Sequence, residues 1–145
     1  DVANTITDFG GGGSTDIIDF TNNSAMGTSI TPGDFASANV SGSDVLLTAG
    51  FSMVSDTSGS TRTATDLTVA NVATYLADVD GAGNAIKFSN TNNIAYLGVS
   101  DGTNLGIYLA NDADGNTAIA AGDLTLIATL SSKTSIAAAD LVDFS

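Results

Sequence analysis

The sequence predicts a mainly β protein of antiparallel sheets, sandwich-like or roll-like, with one short helix near residues 66–78 and calcium-binding loops between strands. Three observations carry this. Apolar residues alternate at period two in four segments of the second half, 85–88, 94–99, 105–109 and 124–130, separated by turn-sized clusters of Asn, Asp and Gly. One stretch alone, from Leu67 through Val69, Val72 and Ala73 to Leu76, carries an apolar stripe near period 3.6. All sixteen acidic residues are Asp, and many stand at turns beside strands.

Along the chain, residues 4–9 and 16–20 are two short β segments around the glycine-rich run 10–13, because Thr and Ile suit a pleated surface and Gly permits positive φ. Each segment ends in Ile-x-Asp-Phe, at Ile6 to Phe9 and Ile17 to Phe20. Residues 21–43, mostly Asn, Ser, Thr, Gly and Ala around the only proline, Pro32, read as loop. Residues 44–48 and 51–54 read as a β-hairpin turning at Ala49-Gly50. Thr65-Asp66 offers a helix N-cap, about four helical turns follow, and Asp78-Val79-Asp80-Gly81 ends them. The four period-two segments form an antiparallel meander. In the tail, Ala137 to Asp140 is a helical turn ahead of apolar Leu141, Val142 and Phe144.

A chain of 145 residues with 43% hydrophobic residues is one domain that can bury a core, in spite of a net charge of −13. It has no His, Cys, Glu or Trp. That excludes imidazole and thiolate chemistry, zinc sites of the usual ligands and a Ser-His-Asp triad, so no catalytic residue is assigned. Arg62, Lys87 and Lys133 cannot make the basic face that nucleic acid needs. No apolar run is long enough for a membrane-spanning helix, and no membrane insertion is expected. The chain starts at Asp1 without an initiator Met or a signal peptide, which fits the C-terminal part of a larger protein or removal of a leader. Hard cations with oxygen ligands stay open, calcium above all.

The sharpest site candidate is the run from Asp112 to Asp123. Asp112, Asp114, Asn116 and Asp123 fall at positions 1, 3, 5 and 12 of an EF-hand-type calcium loop, with Ile119 at position 8 to pin the loop to the core. Thr117 stands where that loop has Gly, and the closing residue is Asp instead of Glu. The flanks are strand-like, so the site would be strand-loop-strand; the competing reading is an Asx-rich turn that needs no ion. A second candidate, residues 11–19, nearly fits the nonapeptide of calcium-binding β-rolls, with Ser14 in place of a Gly and Asp16 and Asp19 as carboxylates; its spacing alone fits a glycine-rich hairpin turn better. Asp78 and Asp80 read better as the helix stop than as ligands. Tyr75, Tyr96, Tyr108, Phe51 and Phe88 read as core before carbohydrate platform. Two glycosylation sequons, at Asn22 and Asn39, are short enough to arise by chance.

Thr5-Ile6-Thr7-Asp8-Phe9 followed by Asp16-Ile17-Ile18-Asp19-Phe20 resembles the segment that closes the β-roll in RTX (repeats-in-toxin) proteins, the calcium-binding products of type I secretion. The later order is also similar to their C-terminal regions: an Ala-rich helix, strands, the Asp-x-Asp-Gly-Asn loop, a Leu-rich strand and Ala-Asp-Leu-Val-Asp-Phe. The resemblance implies that residues 1–20 close a β-roll, with Asp8, Asp16 and Asp19 joining the metal ligands, and that Leu141, Val142, Asp143 and Phe144 belong to a secretion signal. It implies an extracellular or bacterial cell-surface location, with partners in the type I secretion machinery, upstream domains of the same chain, or further copies. The expected role is a non-enzymatic calcium-binding structural domain acting in secretion and S-layer-like assembly. The alternatives are a C-terminal stability domain of a secreted hydrolase and a calcium-dependent adhesin module.

Overall fold

The computed structural model describes residues 4–7, 9, 17–19, 35–47, 50–89, 94–112 and 114–142, with the backbone alone at Asn4, Asp19 and Val142. Ten strands and one α-helix form in the order β1 Asn4–Ile6, β2 Ile18–Asp19, β3 Phe35–Val40, β4 Val45–Leu46, β5 Phe51–Asp56, α1 Val69–Leu76, β6 Ile86–Lys87, β7 Ile94–Ser100, β8 Leu105–Asn111, β9 Leu124–Leu130 and β10 Leu141–Val142. Six strands make a mixed sheet ordered β1-β9-β8-β7-β5-β3. The meander β7-β8-β9 is antiparallel, β7 and β8 being joined by the short turn 101–104 and β8 and β9 by the loop 112–123. The pairs β1-β9, β7-β5 and β5-β3 are parallel. Two further parallel pairs, β2-β10 and β4-β6, lie outside this sheet.

The expectation of antiparallel sheets therefore holds only for the last three of the four meander segments; the first, 85–88, gives β6, which pairs in parallel with β4 outside the large sheet. The hairpin expected over 44–54 does not form: β4 pairs with β6, and β5 pairs with β3 and β7. The physical reason is burial. Phe51 and Val54 are needed in the middle of the large sheet, whereas Leu47 belongs to the layer that packs on it. Likewise β1 and β2 pair with β9 and β10 instead of with each other; the glycine run between them lies outside the described residues.

Residues 21–43 are not all loop, because 35–40 form β3. Its alternation is written in small residues, with Ala38 and Val40 buried and Ser37 and Asn39 exposed, so hydrophobicity alone does not display it. Phe35 stacks on Phe51 across the pair, centroids 5.7 Å apart and planes 7° from parallel.

The helix is two turns long, not four. Thr68 is its N-cap, accepting the Asn71 N–H, and Asp66 in turn accepts the Thr68 N–H at 2.8 Å. Residues 65–67 are thus spent on entering the helix, and the last turn ends at Ala77, where the N–H groups of Ala77 and Asp78 return to Ala73 and Tyr75. The helical turn expected at Ala137 to Asp140 is a 3-10 turn over Ala138–Asp140.

Both faces of the large sheet are covered. Val54, Leu97, Val99 and Tyr108 point to one side, where α1 contributes Val72 and Leu76 and the β4-β6 layer contributes Leu47 and Ile86. Phe51, Tyr96, Ile107 and Leu130 point to the other, against Phe9, Ile136 and Leu141. Burial on both sides explains why β7 and β8 read as nearly continuous apolar runs. Each fully buried Leu, Ile or aromatic side chain contributes about 1.5–3 kcal/mol.

Two glycines in the central strands make room for aromatic rings. A Cβ at Gly106 would stand 2.5 Å from the Tyr108 ring, and one at Gly98 would meet the Met53 sulfur and the Phe51 ring. Tyr108 cannot easily yield, because its hydroxyl donates to the Leu67 carbonyl at 2.6 Å and so ties β8 to the helix entrance. Met53 is flexible. Gly106→Ala is therefore expected to destabilise by about 2–3 kcal/mol and Gly98→Ala by less, measured by urea denaturation. Equal stability of Gly106→Ala and the parent protein would refute this packing account.

Candidate metal centre

The loop between β8 and β9 is built by its own carboxylates. Asp112 Oδ1 accepts the Gly115 N–H at 2.7 Å, Asp114 Oδ1 accepts the Asn116 N–H at 3.0 Å and Asn116 Oδ1 accepts the Ala118 N–H at 2.8 Å. Gly115 has φ +76°, a left-handed conformation that explains a glycine there. The loop is then stitched to the molecule. Phe88 N–H donates to the Thr117 carbonyl, Ala118 bridges to Lys87, and Ile119 is buried in the core that includes Tyr108 and Phe88. Ile119 thus occupies the anchoring place expected of loop position 8.

At the end of the loop, a 3-10 turn over Ala121–Asp123 leads into β9, and the Asp123 carboxylate accepts the Ala120 N–H at 2.8 Å. Carboxylate oxygens of Asp112, Asp114 and Asp123 all lie within 4.8 Å of one another. Asp123 is buried, Asp112 half-buried and Asp114 exposed. Two oxygens bound to one calcium ion, each at about 2.3–2.6 Å, can stand up to about 5 Å apart, whereas on magnesium the limit is about 4 Å. The donor set is hard and anionic, which suits such an ion. Two of the three cations in the chain are committed elsewhere: Arg62 to Asp78 at 3.4 Å and Lys87 to Asp44 at 2.5 Å. Lys133 lies beyond the opposite end of β9.

Three of the four carboxylate or amide groups expected at this loop are therefore brought together, and Asn116 stands on the same loop with its carbonyl oxygen turned to Ala118. Asp8 and Asp16 lie outside the described residues. Asp19 is placed by its backbone in β2, opposite Val142. Of the expected secretion signal, Leu141 is buried and Val142 continues β10; Asp143 and Phe144 lie outside the described residues. The five aromatics are in the core, Tyr75 being the least covered at 7% exposure, so none forms an open aromatic platform on the surface. Burial pushes the Tyr75 and Tyr96 hydroxyls up to about 12.

One local repeat escapes a reading based on periodicity. Ile119-Ala-Ala-Gly-Asp123-Leu124 and Ile136-Ala-Ala-Ala-Asp140-Leu141 fold alike. In each, the Ile and Leu are buried, and the Asp carboxylate accepts the N–H three residues back, at 2.8 Å for Asp123 and 2.7 Å for Asp140. The signal was available as six-residue self-similarity, which Ile30-Thr-Pro-Gly-Asp34-Phe35 also shows in sequence. Asp123 thus has a structural duty that Asp140 shares, and its nearness to Asp112 and Asp114 is additional.

Asp78 and Asp80 act as the helix stop. Asp80 is buried and takes N–H groups from Ala82 at 2.9 Å, Asn84 at 3.3 Å and, across the chain, Gly42 at 3.2 Å, besides the Asn84 amide at 2.7 Å. These donors, Ala82 first and the Asn84 amide next, hold its pKa down to about 2. Asp56 is held at about 2 by Ser58 foremost and by the Arg62 N–H. No protein-family model matches this sequence, and no curated protein or solved structure matches it.

Both carboxyls titrate near 3.8 when unfolded and near 2 when folded. Their contribution is complete above the unfolded value and is lost as pH falls from about 4 toward 2. Denaturant midpoints are expected to hold from pH 7 to 5 and to drop below about pH 4, with a shallower drop in Asp80→Asn. A midpoint insensitive to acid down to pH 2 would contradict these clasps.

Proposed function

We propose that the protein is a non-catalytic, calcium-binding structural domain whose β8-β9 loop is locked by the ion. The observation that carries this is the convergence of Asp112, Asp114 and Asp123 within 4.8 Å. Asp112 follows the last residue of β8 and Asp123 precedes the first of β9, so an ion held by both joins the two strand ends that the loop must bring together. Without an ion, three carboxylates at that separation repel one another, and the loop loses stability. With one, remaining coordination places fall to water or backbone carbonyls, a composition that suits affinities of about 10⁻⁴–10⁻³ M, as in extracellular modules.

Such a weak site would be empty at cytosolic calcium and filled outside the cell, so the loop would set after export. The resemblance to RTX C-terminal regions supports the finer part of the proposal: secretion by a type I machinery and a place in a surface-layer assembly, with calcium reducing repulsion between subunits of net charge −13. The chain offers no His or Cys for catalysis, which supports a structural role. No helix of the described residues is long and apolar enough to cross a membrane.

The test is thermal unfolding against calcium. At tenfold excess over Kd, binding adds about 1.4 kcal/mol, or about 3–6 °C in Tm for a domain of this size. Asp112→Asn and Asp114→Asn are expected to abolish the response, Asp140→Asn to leave it intact, and magnesium to give little. Unchanged melting with calcium and with chelator would sink the proposal.

A further inference from the structure

A second region of the molecule is organised for binding and lies apart from the acidic loop. The parallel partners β5 and β7 are in register only over Phe51–Met53 and Tyr96–Gly98. Beyond that point their pairing ends, and the Ser100 carbonyl at the end of β7 accepts instead the Ala64 N–H at 3.0 Å. Where the strands part, a cleft of about 250 Å³ opens among the ends of β5 and β7, residues 61–63, Tyr75 and Thr134. Its place is the carboxyl end of neighbouring parallel strands, where diverging backbones leave room for a ligand.

The walls are fixed before any ligand arrives. Asp56, 5% exposed, accepts the Ser58 N–H at 2.8 Å, the Arg62 N–H at 3.0 Å and the Ser60 hydroxyl at 3.1 Å. Tyr75 donates its hydroxyl to the Arg62 carbonyl at 3.2 Å, and the Arg62 guanidinium reaches the Asp78 carbonyl at 2.6 Å. Between these ties Thr61 is held at φ +46°, a conformation that a β-branched residue adopts only when its surroundings impose it. On the opposite side Ser100 Oγ accepts the Gly102 N–H at 2.9 Å, which shapes the turn facing Thr63.

The chemistry of the lining selects the ligand. Thr61, Thr63, Ser100 and Thr134 are hydroxyl-bearing residues of a lining that is otherwise mostly apolar, a mixture that matches a sugar ring with its C–H faces and hydroxyl edges. The one guanidinium is already shared with Asp78, and Asp56 already takes three donors, so neither an anion nor a cation finds an uncompensated partner. We propose that this cleft binds a neutral polyhydroxylated ring, a single saccharide unit. Its volume lies below the roughly 300–1,000 Å³ of sites for larger ligands, which limits the occupant to about one ring.

The site does not depend on the metal loop, so it is tested with and without calcium. Amide shifts of the ¹⁵N-labelled protein are followed while glucose, galactose or N-acetylglucosamine is added up to about 50 mM, against an expected Kd on the order of 1 mM. Saturable shifts confined to residues 54–56, 61–63, 100–102 and 134 are expected with at least one of these sugars. Thr63→Val and Thr134→Val, each checked for a native spectrum, are expected to weaken binding about fivefold to tenfold. No saturable shift with any of the three sugars, unchanged affinity in both variants, or glucuronate binding tenfold more tightly than glucose would each overturn it.

Discussion

The hydrogen bond from a backbone N–H to an aspartate carboxylate recurs at corner after corner among the described residues, and the rest of the structure depends on it. Every aspartate whose side chain is described, ten in all, accepts at least one such bond: Asp44, Asp56, Asp66, Asp78, Asp80, Asp101, Asp112, Asp114, Asp123 and Asp140. A corner leaves N–H groups without strand partners, and a side chain with one methylene reaches back to them two to five residues away. Glu would place its carboxylate one bond too far for the tightest of these turns. At these ten corners the geometry therefore favours Asp over Glu.

This constraint follows from the sheet. Five of the six strands in the large sheet run the same way, β8 alone opposing them, and parallel neighbours cannot be joined by a two-residue turn. The chain must leave the sheet after β3 and β5, pass through β4, or through α1 and β6, and return. Each excursion needs corners, and Asp56, Asp66, Asp80 and Asp44 hold them. Asp80 to Gly42 and Asp44 to Ala85 join excursions distant in sequence, so the clasps also set the register of the outer β4-β6 layer.

Against that background, the loop carboxylates of Asp112, Asp114 and Asp123 differ in one respect. Each caps an N–H like its counterparts, yet among the described residues only these three bring their oxygens to a common point. Turn capping explains where each stands but not their convergence, which is the observation behind the proposed ion. The twin of the Asp123 turn, at Asp140, shows the same cap without that company.

Read alone, the sequence determined a mainly β class with one helix, and it put Asp112, Asp114 and Asp123 on one loop. The segments 94–99, 105–109 and 124–130 were legible as strands because short apolar runs bounded by Asn, Asp and Gly are local properties, although β7 and β8 are buried on both faces and do not alternate; Ile119 stood out as the apolar residue of its loop for the same reason. The nearness of Asp112, Asp114 and Asp123 could be read because the loop is short enough for sequence separation to stand for distance. Tertiary structure alone decided the partners. Whether 51–56 pairs with 45–46 or with 35–40 depends on which face of a sheet needs Phe51 and Val54, and nothing within that segment records it. The strand at 35–40 was hidden because small residues bury little area and acquire their alternation from Phe51 and Val54 beside them. The cleft at Thr63 and Ser100 could not be foreseen, because it exists only where two parallel strands distant in sequence part.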